Sequence, residues 1–350
     1  MMSEKSAHFF KLVRDFLMVY LPDQKAVSPN TIKSYRETLN LLISYICCAD
    51  GIGLRKVSFK NMGRETIETF LGYLEKERCC SVSTRNHRLA CIRSFFKYAG
   101  ARDVGVQAFA NDLCSIPRKK EAISAGISFF SESALKTIFE QPDVRNKRDI
   151  RNLFFMILLY DTGARNQEML DLRLDNLHFE GESPYIVIIG KGKKTRLVPV
   201  MKKTVEHFMK FAAAFHLDST ADDLLFYTMR HGKRSAMSPD CSEKFIRKYG
   251  AAAHETNPEV PKLLHVHQFR HSRSMHLYRS GMPLVLLAEW LGHTQITTTL
   301  KFYANADTEM KREAIEKATS KLNPLFSYES AYQDWQDDEE LIKRLYGLSQ

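Results

Sequence analysis

Between His265 and Tyr303 the chain reads HVHQFRHSRSMHLYRSGMPLVLLAEWLGHTQITTTLKFY, the stretch that most restricts what it can fold into. Met282-Pro283 followed by LVLLAEWLG predicts a helix with Pro near its first position and Gly292 as its stop. His293 then falls just past a helix end, and Thr297 to Thr299 can cap a following helix that carries Tyr303. His267 and Arg270 sit on the helical signal before it. A cluster of cationic and proton-carrying side chains is thus held between short helices.

A length of 350 residues predicts two domains. Lys and Arg number 51 against 41 Asp and Glu, a net charge of +10 that favours a polyanionic partner. The seven cysteines contain no C-x-x-C pair, which suits a reducing cytosol and structural thiols. The opening MMSEKSAHFFKL has no signal-peptide pattern, and the apolar run Leu153 to Tyr160 is too short to span a bilayer. A soluble, cytoplasmic protein without a membrane partner is expected.

Residues 1–112 read as helical. Phe9, Leu12, Val13, Phe16, Leu17 and Tyr20 mark one apolar face, ended by Pro22. Ser28-Pro29 opens a long helix in which Ile32, Tyr35, Leu39, Leu42 and Ile46 keep helical spacing. Ile67, Phe70, Leu71 and Leu74 repeat it. A fourth helix starts near Ser81 to Thr84 and stops at Gly100, its apolar residues interleaved with Arg85, Arg88, Arg93 and Lys97. Such a basic face can grip phosphates, or it can be a plain solvated surface; from this helix alone the second reading is favoured.

Residues 113–127, with Pro117, Arg118, Lys119, Lys120 and Gly126, form a basic linker able to follow a DNA backbone. A second domain over 128–322 begins with Ser131 as an N-cap, then a buried helix closed by Gly163. Arg165 starts the next helix, RNQEMLDLRL. YIVIIGKGKKTRLVPV predicts a hairpin with Lys191 at its tip and Lys193 and Lys194 beside it. The fold class is mainly α with a small antiparallel β element. Residues 323–350 carry six acids and two bases, a net −4 against the trend of the chain. They read equally as a frayed tail or as a helix that docks on a basic neighbour.

A phosphodiester resists attack because its oxygens carry charge that must be stabilised as the transition state forms. Two guanidiniums can hold those oxygens. A tyrosine hydroxyl can attack phosphorus, a lysine on a hairpin tip can protonate the leaving sugar oxygen, His267 can act as base, and His293 can donate to a phosphate oxygen. No metal or cofactor is needed. His267 and His271 stand i, i+4, but the zinc-protease pattern needs Glu where Gln268 stands. GKGKK lacks the P-loop pattern, and no Asp/Glu cluster suggests a magnesium nuclease.

The order of these segments resembles the tyrosine site-specific recombinases, the phage integrase family. Five segments carry the likeness: DTGARNQEML, IIGKGKKTRLVPV, HQFRH, LGH and FYA. The resemblance implies Arg165 and Arg270 as phosphate clamp, Lys191 as general acid, His267 as acid/base, His293 as transition-state donor and Tyr303 as nucleophile, with Glu168 in support. It covers about residues 8–322, because STRNHRLACIRSFFKYA is similar to the family's core-binding domain. It further implies a C-shaped clamp on duplex DNA with specific recombination sites, a homotetramer exchanging strands through a Holliday junction, accessory or directionality factors, and the simple type without an arm-binding domain. The interval from His293 to Tyr303 is one residue longer than is usual in the family. A catalytically silent DNA-binding accessory protein and a type IB topoisomerase are the alternatives.

Overall fold

The structure is a computed structural model that describes residues 3–121, 129–190, 192, 194–293, 343, 344 and 347. The chain forms two units, Met1–Ser124 and Ala125–Gln350, each with its own core. Both are built largely of helices; the antiparallel β structure is confined to the second.

In the first unit, α1 (Glu4–Asp15) continues as a wider π-helical stretch, Phe16–Gln24, that contains Pro22. The proline was expected to end the helix. Because it has no N–H to donate, the chain instead widens its hydrogen bonding, and the Lys25 N–H reaches the Tyr20 carbonyl at 2.9 Å. Ser28 caps α2 (Pro29–Ala49) and Ser81 caps α4 (Val82–Gly100), each accepting from the backbone N–H three residues on. Between them lies α3 (Arg64–Lys76). Phe9, Phe16, Phe70, Phe95 and Phe96 are fully buried among these helices. Each such ring contributes roughly 1.5–3 kcal/mol by leaving water.

α4 ends at Gly100 as expected, but without the left-handed backbone of a glycine stop. A β-carbon there would lie 2.9 Å from Gln107 Oε1 and 3.2 Å from the Ala110 side chain, so the glycine permits close approach of α5 (Val104–Cys114). Leu113 and Ile116, expected in the linker, are buried in this core.

In the second unit Ser131 caps α6 (Glu132–Phe139), and α7 (Lys147–Thr162) ends at Gly163 with φ +56°. Arg165 is the N-cap of α8 (Asn166–Leu170). A three-stranded antiparallel sheet follows, in the order β1 (Leu177–His178), β2 (Tyr185–Ile189), β3 (Thr195–Pro199). The expected hairpin is β2–β3, with Ile189 opposite Thr195; β1 was too short to be read. After α9 (Lys202–Phe215) comes a second hairpin, β4 (Tyr227–Arg230) and β5 (Lys233–Ala236). Its turn residues His231 and Gly232 both have positive φ, the geometry that two-residue hairpins favour. Then come α10 (Pro239–Thr256), α11 (Val266–Arg279) and α12 (Leu284–Leu291). Pro283 is the N-cap of α12, one position ahead of the expected place. Thr297 to Thr299 and the helix expected to carry Tyr303 lie outside the described residues, as does nearly all of 323–350. Among the described residues, no helix is long and apolar enough to cross a membrane.

Candidate active site

Two glycine-terminated helices and one N-cap come together at a cleft of about 1170 Å³. The first contributor is the turn after α7. Gly163 reverses the chain, and Arg165 begins α8 with its backbone N–H donating to Glu168 Oε2 at 2.9 Å. This is half of a capping box: a glutamate at the third helical position turns back on the cap. The Arg165 side chain then donates to Glu168 Oε1 at 2.8 Å. From β3, Arg196 Nη2 donates to Glu168 Oε2 at 2.7 Å. One buried carboxylate therefore bridges two arginines.

Helix α11 supplies the second group. The His265 N–H donates to Gln268 Oε1 at 2.8 Å, fixing the first turn. His267, Arg270, His271 and Ser274 follow at helical spacing and line the cleft together. Arg270 is only 3% exposed. Its Nη1 donates to the Gly163 carbonyl at 2.5 Å and its Nη2 to the Leu291 carbonyl at 2.6 Å.

The end of α12 supplies the third. Gly292 adopts φ +65°, its N–H reaches the Glu289 carbonyl at 2.8 Å, and the His293 N–H reaches the Ala288 carbonyl at 2.9 Å. A left-handed residue followed by this back-reaching bond closes the helix and aims His293 into the cleft. Trp290 of the same helix covers Gly163, where a β-carbon would lie 2.5 Å from the indole.

Burial and cations set the protonation states. Burial lowers the His267 pKa, and Arg270 and Arg165 lower it further. Burial, then Arg270, Arg165 and Arg196, push His293 down to about 4. Burial and the neighbouring His267 take His271 to about 4 as well. All three rings are neutral at pH 7. Burial alone would raise the Glu168 carboxyl, but hydrogen bonds from Arg196 and from the Arg165 backbone hold it at about 2.

Of the residues singled out from sequence, Arg165, His267, Arg270, His293 and Lys194 line this one cleft, with Glu168 directly behind Arg165. Lys191, Lys193 and Tyr303 lie outside the described residues. Arg196 is hidden among the lysines of GKGKKTRLVP, and only strand alternation sets it apart from Thr195 and Leu197. His271, whose sequence spacing suggests only a metal ligand, and Trp290, which has no sequence signal, line the cleft too. No group of three or more His, Cys, Asp or Glu among the described residues is arranged to hold a metal.

The basic helix α4 is a different matter. Arg85 is buried and donates to the Pro117 carbonyl at 3.0 Å. Arg93 donates to the carbonyls of Leu113 at 2.9 Å and Cys114 at 3.0 Å, and to that of Ile116. Asn86 exchanges hydrogen bonds with the backbone of Lys119. These side chains fasten residues 113–119 to the bundle, so Arg85 and Arg93 do not form an open phosphate-gripping face. Arg88 is half-buried. Lys119 pairs with Glu75 at 2.8 Å, while Lys97, Arg118 and Lys120 are exposed.

The cleft gathers guanidiniums and neutral imidazoles on a mainly helical two-unit chain, a set of groups that can hold a phosphate and move a proton beside it. Residues 128–310 match the phage integrase family and residues 14–105 match the phage integrase N-terminal SAM-like domain, and the chain belongs to that family. It is a tyrosine recombinase, an enzyme that breaks and rejoins DNA in site-specific recombination. It is 28% identical over 316 residues to the integrase/recombinase y4rC of Sinorhizobium fredii, covering 90% of this chain and 93% of that one. It is 26% identical to the tyrosine recombinase XerD of Staphylococcus aureus, covering 89% and 98%. The fold is shared with the XerH recombinase in a post-cleavage complex with a palindromic difH substrate (TM-score 0.64, 20% identity, 89% of each chain). It is shared too with the Tn1549 transposon integrase in complex with transposon right-end DNA (TM-score 0.65, 16% identity, 89% and 98%).

Proposed function

We propose that the chain cuts and rejoins double-stranded DNA at specific sites through a 3′-phosphotyrosyl bond to Tyr303. The observation that carries this reading is the convergence of Arg165, Arg270, His267 and His293 on one cleft. The hydroxyl oxygen of Tyr303 attacks phosphorus and the bond to the 5′ oxygen breaks. The tyrosine proton passes to neutral His267, and the departing 5′ oxygen takes a proton from Lys191. Arg165 and Arg270 hold the non-bridging oxygens, and His293 donates an N–H to one of them in its neutral form. Glu168 keeps Arg165 in place. Attack by a free 5′ hydroxyl on the phosphotyrosine reverses the step, so rejoining needs no ATP and no cofactor.

In this reading residues 1–112 form the core-binding domain, 113–127 the basic connection, 128–322 the catalytic domain and 323–350 a tail that docks on a neighbouring subunit. Four protomers pair two duplexes and exchange strands through a Holliday junction, with accessory factors setting direction, on DNA in the cytoplasm. Removing residues 323–350 abolishes pairing of sites and spares single-site binding; a truncated protein that still forms tetramers on DNA sinks the tail assignment.

The test is a nicked suicide duplex bearing a sequence that the full-length chain selects from a randomised library. Wild type and Tyr303→Phe are incubated without metal and run on a denaturing gel. A covalent band for wild type alone supports the reading. Binding by both proteins with adduct from neither replaces it with a silent accessory role, and metal-free relaxation of arbitrary supercoiled plasmid points to a topoisomerase.

A further inference from the structure

Arg196 is none of the residues to which the family resemblance gives a role, yet it lines the cleft. Its side chain is 11% exposed, and the Glu168 side chain it pairs with is 6% exposed. Glu168 Oε1 takes the Arg165 side chain, while Oε2 takes both the Arg165 backbone N–H and Arg196. The carboxylate is thus saturated by two arginines from two different elements.

Two glycines leave room for this. A β-carbon on Gly292 would sit 3.0 Å from Arg196 Nη1 and 3.3 Å from its Cδ. One on Gly190 would sit 3.3 Å from Glu168 Oε1 and 3.5 Å from Arg196 Nη1. The guanidinium therefore lies between the end of α12, which carries His293, and the turn of the β2–β3 hairpin. That turn is closed by the Gly190 N–H to the Lys194 carbonyl at 2.7 Å. Arg196 Nε is buried without a hydrogen-bond partner, so this polar group is held in place by packing around the Glu168 pair.

We propose that Arg196 is a positioning residue for strand cleavage: it shares Glu168 with Arg165, so that Arg165 meets the phosphate with its charge uncancelled, and it fixes the hairpin against the α12 end.

A carboxylate paired with Arg165 alone would leave that pair neutral toward DNA. With Arg196 present, the three groups together carry one positive charge, and neither oxygen of Glu168 competes with phosphate for Arg165's remaining donors. Arg196 is also the strand residue that ties the β2–β3 hairpin, whose connecting sequence includes Lys191, to α8. Displacement of about 1 Å in an active site costs on the order of 100-fold in rate.

The inference rests on the strand-transfer reading of the cleft. Its test measures adduct formation on the selected suicide duplex at saturating DNA for wild type, Arg196→Gln and Arg196→Lys. DNA affinity and urea midpoints are measured alongside. Arg196→Gln is expected to cleave roughly 10–100-fold more slowly, with affinity within about threefold of wild type. Arg196→Lys, which keeps the charge and one donor to Glu168, is expected to recover most of the rate. Cleavage by Arg196→Gln at the wild-type rate overturns the proposal. So does a loss equal in the two variants that follows only their folded fraction. Absence of adduct from wild type itself would strike at the recombinase reading instead.

Discussion

The Gly163 carbonyl accepts from Arg270 Nη1 at 2.5 Å, and the α-carbon of the same residue lies beneath the Trp290 ring. One residue thus locates the buried arginine and seats α12. Gly163→Ala places a β-carbon 2.5 Å from the indole on a backbone at φ +56°. Overpacking and left-handed strain together predict a loss of roughly 2–4 kcal/mol in urea unfolding, and slower cleavage because α12 moves. Adding Trp290→Phe should restore part of both. A Gly163→Ala protein as stable and active as wild type would refute the tight-seat account.

Glu168 ties pH to stability. Its pKa falls from 4.5 to about 2, so its stabilisation is present in full above the unfolded value and fades as pH drops toward 2. A shift of that size corresponds to roughly 3 kcal/mol at pH 7. Glu168→Gln should lose about that much in denaturant unfolding at pH 7, with the gap narrowing from pH 4.5 downward. A gap that stays constant from pH 7 to pH 3 would contradict the charged-bridge origin.

The acidic limb of the cleavage rate should lie below the ordinary histidine value of 6.5. Burial and the nearby arginines push His267 below its usual 6.5 and His293 to about 4, so both are mainly neutral at pH 7 and above. The rate should fall only when His267 gains a proton and can no longer accept one from tyrosine. Single-turnover adduct formation across pH 5 to 8 tests this. A loss centred at or above 6.5 would assign the acidic limb to another group.

Arg93 and Arg85 should behave as structural residues. Arg93→Ala strips the carbonyls of residues 113, 114 and 116 of their donors. The expected cost is roughly 1–3 kcal/mol in stability, with an unchanged salt dependence of DNA binding. Replacing the exposed Arg118 and Lys120 should leave stability alone and flatten the log–log salt slope by about 0.9 for each phosphate no longer neutralised. The reverse pattern in binding titrations would restore α4 as the phosphate-gripping face.

Much of this was legible because local chemistry decides it. Ser28 and Ser131 are caps in the structure as in the sequence, the helix expected to start near Ser81 does so, and Gly163 and Gly292 end helices with the left-handed backbone their positions suggested. What escaped depends on distant partners. Gly100 does end α4, but what calls for a glycine there is the approach of Gln107 and Ala110 rather than a left-handed turn. Arg85 and Arg93 looked like a surface because their carbonyl partners lie 20 to 32 residues away. The β4–β5 hairpin, TMRHGKRSA, has mostly exposed side chains and so gives no clear apolar alternation to read. Arg196 could be told from its lysine neighbours only once Glu168 was folded beneath it.

Arg270 sits where α7 and α12 both end. Aligned peptide dipoles leave the equivalent of roughly half a negative charge at each such terminus. The unit charge of Arg270 is thus largely answered from behind by the main chain, and counting guanidiniums overstates the pull of the cleft on DNA. Exchange Arg270 for a neutral residue, and two helix C-termini face the cleft with only Arg165 and Arg196 left to oppose them. At this position the substitution therefore removes more than one guanidinium's contact: it also uncovers the carbonyls that guanidinium was holding.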